Sequence, residues 1–312
     1  MKAIVIDQYG DKEELKEEEL AKPEPEADEV LIEIQAAAVN PIDWKLRYGY
    51  LKEKFPFDFP IVLGWDAAGI VEKIGEDVNS FQIGDRVFFR PELTNRGTYA
   101  EYTTVKEGLA AEMPDNISFK EAAAVPLAGL TAYQCLVDVG KLESEEKVLI
   151  HAGAGGVGSF AIQIAKNMGA YVATTASSKN VEFLKSLGAD EIIDYTKDDF
   201  SQVLKDFDLV IDTLGGDVQD KSFDVLKKNG KLVSIVEEPA QKRAAHFGVE
   251  AEFHWLIPDG EELAVLAKMM EEEKLKPVVG TVFPFSEQGL KDAHELSETH
   301  HARGKIVIEI DH

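Results

Sequence analysis

Lys147-Val148-Leu149-Ile150-His151-Ala152-Gly153-Ala154-Gly155-Gly156-Val157-Gly158 is the stretch that decides the fold of this chain. A short β-type run, Val148-Leu149-Ile150, leads into Gly153-x-Gly155-x-x-Gly158, and the helical pattern of Phe160, Ile162, Ile164 and Ala165 follows at once. The three glycines answer different needs. The first permits a tight turn, the second lets the backbone approach a pyrophosphate, and the third lets helix and strand pack closely. Amides at the new helix N-terminus then face the phosphate charge. Gly153, Gly155, Gly156, Val157 and Gly158 are therefore expected to hold a dinucleotide. A glycine turn lacking the flanking strand and helix would carry no such expectation.

The pattern around this stretch extends the reading. From Ser118 onward, strands and helices alternate: 147–151, 159–168, 170–174, 179–187, 191–193, 199–205, 208–212, 218–228 and 231–235. Short apolar strands alternating with helices of this length indicate βαβ units and a parallel sheet covered on both faces. Gly169 and Gly188 end helices, and Asn229-Gly230 precedes a strand. Residues 119–124 and 130–139 are expected to be helical, broken around Val125-Pro126. Before Ser118 the chain is β-rich, with runs at 3–6, 29–38, 69–74, 85–89 and 100–105 and a short helical turn over 41–48. The acidic tract from Glu13 to Glu29, with Pro23 and Pro25, reads as a solvated edge and loop. After an amphipathic helix over 261–273, the tail reads as strand 278–283, helix 286–299 and strand 305–310. The expected fold is α/β: a β-rich domain from residues 1–118 and 261–312, with a doubly wound parallel-sheet domain from 119–260 inserted between them.

Composition narrows the function classes. The 312 residues are 45% hydrophobic and carry a net charge of −25, which disfavours nucleic acid and anionic membrane surfaces as partners. Cys135 is the only cysteine, so no intrachain disulfide forms and a reducing, cytoplasmic setting is expected. No apolar run approaches the roughly 20 residues that span a bilayer. The dinucleotide can be narrowed as well. An NAD site usually places Asp or Glu about 20 residues beyond the glycine loop. Here that region reads Thr174-Thr175-Ala176-Ser177-Ser178-Lys179-Asn180, with no acid before Glu182. Ser177, Ser178 and Lys179 suit a 2′-phosphate, which an acid would repel, so NADP(H) is the expected cofactor.

Several further motifs carry a family resemblance: Asn40-Pro41-Ile42-Asp43, Gly64-Trp65-Asp66-Ala67-Ala68-Gly69, Gly84-Asp85-Arg86-Val87, Leu187-Gly188-Ala189-Asp190 and Gly304-Lys305. With the glycine loop, these resemble the medium-chain dehydrogenase/reductases, specifically the zinc-independent quinone oxidoreductase and alkenal reductase branch. The resemblance implies a GroES-like catalytic domain, a Rossmann domain, NADPH-dependent reduction of quinones or conjugated carbonyls, and often a homodimer. Zinc-dependent relatives use Cys where Asn40 stands and His where Trp65 stands, and one cysteine cannot supply a structural zinc quartet. No metal is expected. His151, His294, His300 and His301 read as solvated or locally bonded.

Without a Lewis acid, hydride addition to a conjugated double bond is the accessible chemistry, and it needs a donor at the carbonyl oxygen where charge collects. The candidate catalytic residues are Lys45, Tyr48 and Asn40. Lys45 stands where several quinone reductases carry Tyr, and alkenal reductases resemble this chain in having Lys. Lys45 and Tyr48, three residues apart, share a face of one helical turn. The resemblance adds Tyr195 beside the 2′-phosphate, Thr131 beside the nicotinamide and pyrophosphate, Leu214 and Gly215 after the fourth sheet strand, and Lys305 in the tail as cofactor contacts. Trp44, Phe253 and Trp255 could line an apolar pocket. Two rival readings are an enoyl-thioester reductase, for which the −25 charge offers no basic groove, and a cofactor-bound sensor without turnover.

Overall fold

The structure, a computed structural model, describes residues 1–311. In chain order its strands and helices are β1 (Lys2–Ile6), β2 (Lys16–Glu19), β3 (Glu29–Val39), α1 (Pro41–Arg47), β4 (Ile61–Val62), β5 (Ala67–Ile74), β6 (Arg86–Phe89), β7 (Tyr102–Lys106), β8 (Ala110–Glu112), α2 (Phe119–Ala123) and α3 (Pro126–Tyr133). They continue with β9 (Lys147–Ile150), α4 (Gly156–Asn167), β10 (Tyr171–Ala176), α5 (Val181–Ser186), β11 (Glu191–Asp194), α6 (Phe200–Val203), β12 (Phe207–Asp212), α7 (Gly216–Ser222) and β13 (Leu226–Ser234). Last come α8 (Gln241–Phe247), β14 (Glu250–Phe253), α9 (Gly260–Glu271), β15 (Val279–Pro284), α10 (Glu287–Glu298) and β16 (Lys305–Glu309). Two compact units result, one from residues 1–130 with 258–312, the other from 131–257.

The first unit is organised by β3, which is eleven residues long and therefore long enough to serve several partners. Its first half pairs with β7 and its last four residues with β16, while β5 runs antiparallel along it from Val30 to Ala37. β6 and β8 extend the sheet beyond β5, and β15 pairs with β16 in parallel. A smaller sheet joins β2, β1 and β4. The acidic tract thus contains an edge strand, β2, paired with β1. The core holds Ile4, Ile6, Ile32, Trp65, Phe89, Tyr99, Leu290 and Ile308. α2 starts at Ser118, which forms a reciprocal cap with Glu121, and it packs on β3 and β5. It therefore sits in the first unit, although the change of sequence pattern at Ser118 suggested the second. At the other junction the first unit resumes at Pro258.

The second unit has one all-parallel sheet in the order β11-β10-β9-β12-β13-β14. This is the doubly wound Rossmann arrangement, in which strand order reverses between β9 and β12 and ligands bind beyond the carboxyl ends there. The middles of its central strands, Val148–Ile150 of β9 and Leu209–Ile211 of β12, are apolar and buried, as a sheet covered on both faces requires.

Some boundaries differ from the sequence pattern. The helix expected over 130–139 begins at Pro126, and its last part is a π-helix over Gln134–Val139. The helix expected over 218–228 ends at Ser222, and β13 already begins at Leu226, with Asn229 and Gly230 inside it. α8 and β14 stand in a stretch where the hydrophobic period is too weak to announce them. No helix among the described residues is long and apolar enough to cross a membrane.

Candidate functional site

In the second unit, β9 runs into the glycine turn and α4 begins at Gly156, with Gly155 as its N-cap. The turn is closed by hydrogen bonds from Gly155 N to Ala152 O (2.9 Å) and from Gly153 N to Thr175 O (3.2 Å). The glycines divide by the room around them. A Cβ on Gly153 would lie 2.1 Å from Thr174 Oγ1, and one on Gly158 would lie 2.5 Å from Ala152 O. Gly155 is different: a Cβ there meets nothing nearer than Ala152 O at 3.3 Å. The first and third glycines are needed for packing, whereas the second keeps an approach open. Gly156 and Val157 are partly exposed, and the first-turn amides of α4 have no acceptor within the helix. The residues fit a pyrophosphate.

Two neighbouring segments complete this edge. After β12, Asp212 is buried and its Oδ1 accepts from the amides of Leu214 (3.0 Å) and Gly215 (2.9 Å). Gln219 and Ser234 donate to the other oxygen. Leu214 is exposed, and Gly215 has φ of 73°, a left-handed conformation that favours glycine. After β10, Ser178 and Lys179 are exposed, and Lys179 makes no hydrogen bond or ion pair among the described residues. Tyr195, 58% exposed, is held beside them because its amide bonds to Ala176 O.

This corner also contains an acid that the sequence reading passed over. Asp194, at the end of β11, accepts from the Ser178 hydroxyl and from Thr196 N and Oγ1, and it pairs with Lys197 at 3.0 Å. Those donors, Ser178 foremost, hold its carboxyl well below the usual range. A count of residues along the chain misses it because it reaches Ser178 from the neighbouring strand.

In the first unit, the predicted residues around α1 meet a buried polar network. Asn40 is 2% exposed, and its amide donates to Asp66 Oδ2 at 2.9 Å while its Oδ1 accepts from Lys305. The Lys305 ammonium also reaches Val39 O (3.3 Å) and Asp66 Oδ2 (3.2 Å). Its three N–H groups are thereby used within the unit. Asp66 takes a third donor, Leu127 N, at 2.8 Å, and burial pushes its carboxyl up against the pull of Lys305. Arg90, also buried, has no partner at Nε among the described residues.

Asp43 accepts from Asn40 N and from the Tyr99 hydroxyl, both at 2.8 Å, and burial raises it to about 7. Tyr99 lies 3.2 Å from His294 Nε2, and His294 Nδ1 lies 2.9 Å from Arg47. Arg47 in turn pairs with Glu298 at 2.7 Å. None of Asp43, Asp66, Tyr99, His294, Arg47 or Arg90 was singled out as a functional side chain. The available signal was charge inside apolar runs, as Asp66 sits between Trp65 and Ala67.

The structure separates the two candidate donors. Tyr48 is partly buried and donates its hydroxyl to Glu298 at 3.2 Å, and burial and then Glu298 push it up. Lys45 is half-buried, with its ammonium 5.6 Å from the Trp44 ring centre. The ammonium makes no hydrogen bond or ion pair among the described residues, and burial lowers it from its ordinary value. Thr131 is buried on α3. Trp44 packs edge-on to Tyr48 and His300, and Phe253 lies against Trp255.

The donor set also bears on metal binding. His151 bonds Thr175 and Ser222, His294 bonds Arg47 and Tyr99, His254 bonds Gln134, and Cys135 is buried and free of any disulfide. Asn40 and Trp65 provide neither thiolate nor imidazole. No group of three or more metal-binding side chains occurs among the described residues, and these residues do not fit zinc.

Family models match along most of the chain. Residues 26–115 match the alcohol dehydrogenase GroES-like domain, residues 187–308 the zinc-binding dehydrogenase domain, and residues 132–216 the alanine dehydrogenase/PNT C-terminal domain. The chain is 40% identical to 2-methylene-furan-3-one reductase of Solanum lycopersicum, over 99% of this chain and 79% of that protein. It is 38% identical to the chloroplastic NADPH-dependent alkenal/one oxidoreductase of Arabidopsis thaliana, with the same coverage. The solved quinone oxidoreductase of Coxiella burnetii superposes with a TM-score of 0.92 at 39% identity, over 100% of this chain and 99% of that one.

The glycine geometry makes a paired prediction. Gly155→Ala should leave thermal stability within about 1 kcal/mol, because its extended backbone suits alanine, while weakening dinucleotide binding at least ~10-fold. Gly158→Ala should instead destabilise the second unit by about 1–3 kcal/mol through overpacking. Thermal melts and dinucleotide fluorescence titration check both, and equal behaviour of the two variants would refute the division of roles.

Burial also sets a pH dependence that differs between units. His151 is depressed to about 4, so acidification protonates it in the unfolded chain first, and its contribution is lost as pH falls below about 6.5. The slope is that of one proton, about 1.4 kcal/mol per pH unit. In the first unit His294, depressed to about 3, acts in the same direction, but Asp43, raised to about 7, acts oppositely. Between roughly pH 4 and 6.5 those two contributions cancel. Asp66, also raised by burial, adds to Asp43, so hydrogen exchange should show amides of β9 and β12 losing protection on acidification while β3 and β5 keep theirs.

Proposed function

The chain belongs to the medium-chain dehydrogenase/reductase family, in its quinone and alkenal oxidoreductase branch, and from this we propose an NADPH-dependent, zinc-independent reductase of quinones or α,β-unsaturated carbonyl compounds. The observation that carries the reading is the open approach at Gly155, set between two packed glycines at the reversal of strand order. The second unit is the NADP(H)-binding domain and the first the catalytic domain. Gly155, Gly156, Val157 and Gly158 take the pyrophosphate on α4. Leu214 and Gly215 line the adjacent edge. Lys179 and Tyr195 take the adenosine 2′-phosphate, with Ser177 and Ser178 beside them.

Bound NADPH supplies a hydride to the electron-poor carbon of the acceptor. Lys45 is the group of this chain best suited to the oxygen where negative charge then collects. Its ammonium has no carboxylate partner among the described residues, and burial has already lowered the cost of sharing its proton. Tyr48 is held by Glu298 and ranks second. Asn40 and Lys305 act by supporting the start of α1, since their polar atoms bind Asp66 and each other. Water provides the proton that completes reduction at the neighbouring carbon. Zinc has no role because these donors cannot form its ligand set.

We assign the chain to the cytoplasm on its single buried cysteine. We also infer a homodimer. β14, which pairs only with β13 at the end of its sheet, is an open edge suited to a second copy.

Two experiments test the reading. Lys179→Ala should weaken NADPH binding at least ~10-fold, about 1.4 kcal/mol, with little effect on NADH. Equal losses for both cofactors would remove Lys179 from the phosphate site. Lys45→Ala should lower kcat with small enones by about 100-fold, roughly 3 kcal/mol, while NADPH affinity and stability hold. That assay is run under exhaustive chelation, where the parent enzyme should retain full activity. An unchanged kcat in the variant would mean that Lys45 has no part in the reaction.

A further inference from the structure

α1 carries both ends of a closed circuit of hydrogen bonds. Arg47, its last residue, contacts His294 Nδ1 at 2.9 Å. His294 Nε2 lies 3.2 Å from the Tyr99 hydroxyl oxygen, and Tyr99 donates to Asp43 Oδ2 at 2.8 Å. Asp43 is the third residue of α1. All four side chains are fully buried.

The direction of each bond can be assigned. A guanidinium only donates, so His294 Nδ1 accepts. The imidazole is neutral, and its proton therefore sits on Nε2 and is donated to Tyr99. The Tyr99 hydroxyl gives its own proton to Asp43. Every donor points the same way, from Arg47 round to Asp43. Arg47 is fixed from outside by Glu298 at 2.7 Å and by Gly10 O at 3.2 Å.

Asp43 and Arg47 are four residues apart and share one face of α1. Lys45 lies two residues from each, about 200° round the helix, on the opposite face. It has no polar partner of its own among the described residues. Its placement therefore comes from the helix, and the helix is held from behind at both ends.

We propose that Tyr99 and His294 are positioning residues of the reductase: with Asp43 and Arg47 they clamp the back of α1 and so aim Lys45 at the acceptor oxygen. This rests on the role given to Lys45 above. Neither side chain touches the reacting atoms, so their effect must pass through Lys45 and vanish without it.

A double-mutant cycle tests this with NADPH and a small enone, each variant being checked by thermal melt. Tyr99→Phe should lower kcat about 10-fold with Lys45 present and less than about 2-fold in the Lys45→Ala background. NADPH affinity should be unchanged throughout. His294→Leu should behave like Tyr99→Phe. His294→Gln, which keeps one acceptor and one donor, should recover activity to within about 3-fold of the parent. Isotope-edited NMR of the Lys45 amine gives a second readout, because its titration should shift in Tyr99→Phe and return in His294→Gln. If Tyr99→Phe fails to fold, Arg47→Lys carries the same cycle. Equal losses in both backgrounds, or no rescue by glutamine, would overturn the positioning role. An unchanged kcat in Lys45→Ala alone would instead refute the reading of Lys45 on which it rests.

Discussion

The carboxylate of Asp66 lies inside the first unit with three donors around it: the Asn40 amide, the Lys305 ammonium and the Leu127 backbone N–H. Through these bonds it ties the start of β5 to the residue that opens α1, to β16 and to α3. Burying a lone carboxylate costs several kcal/mol, and a buried pair is kept only where geometry and extra hydrogen bonds offset that cost. Removing one partner leaves the other charge stranded, typically at about 3–5 kcal/mol. The pair is therefore weak evidence of added stability but strong evidence of fixed geometry. With Asp66 in place, Lys305 has no proton left to offer a ligand and Asn40 has no free end. Asn40, a candidate catalytic residue, and Lys305, a candidate cofactor contact, are thus bonded to each other and to Asp66 at the entrance of α1.

That constraint explains the contrast between Lys45 and the cations near it. Arg47 has Glu298, and Lys305 has Asp66. Lys45, on the same short helix as Arg47, has the Trp44 ring beside its ammonium and no carboxylate partner among the described residues. A chain with 58 acidic residues could readily have supplied it with a carboxylate, so its isolation is informative. An unpaired, partly desolvated ammonium is poorly stabilised at rest and gains most when negative charge appears beside it. A group raises turnover under that condition, because the interaction is stronger in the transition state than before it.

The parts of this architecture legible in the sequence are those written as periods and backbone requirements. The order β9, glycine turn, α4 follows from glycine spacing and a change of hydrophobic period, and the parallel sheet follows from repeated short apolar strands. Boundaries set by packing were less visible. α2 looks like the start of a new pattern, yet its buried alanines lie against β3 and β5. The polar network was least visible, because Asp43 and His294 stand 251 positions apart in the chain, yet both contact the hydroxyl of Tyr99. Asp194 escaped for the same reason, since it reaches Ser178 across parallel strands.

Net charge is the last constraint that local geometry must overcome. A chain of −25 repels an anionic cofactor at long range, and salt screens that repulsion over roughly 10 Å. Recognition then depends on groups within a few ångströms of the phosphates. The first-turn amides of α4 are fixed dipoles that no surface charge removes. Lys179 has no carboxylate to compete for it among the described residues, whereas Asp194 beside it is neutralised by Lys197 and saturated by Ser178 and Thr196. The nearest acid in that corner is thus already occupied before a phosphate arrives. An acidic surface and an anion site coexist here because the field is set by the sum of charges, while binding is set by which of them remain unpaired at contact distance.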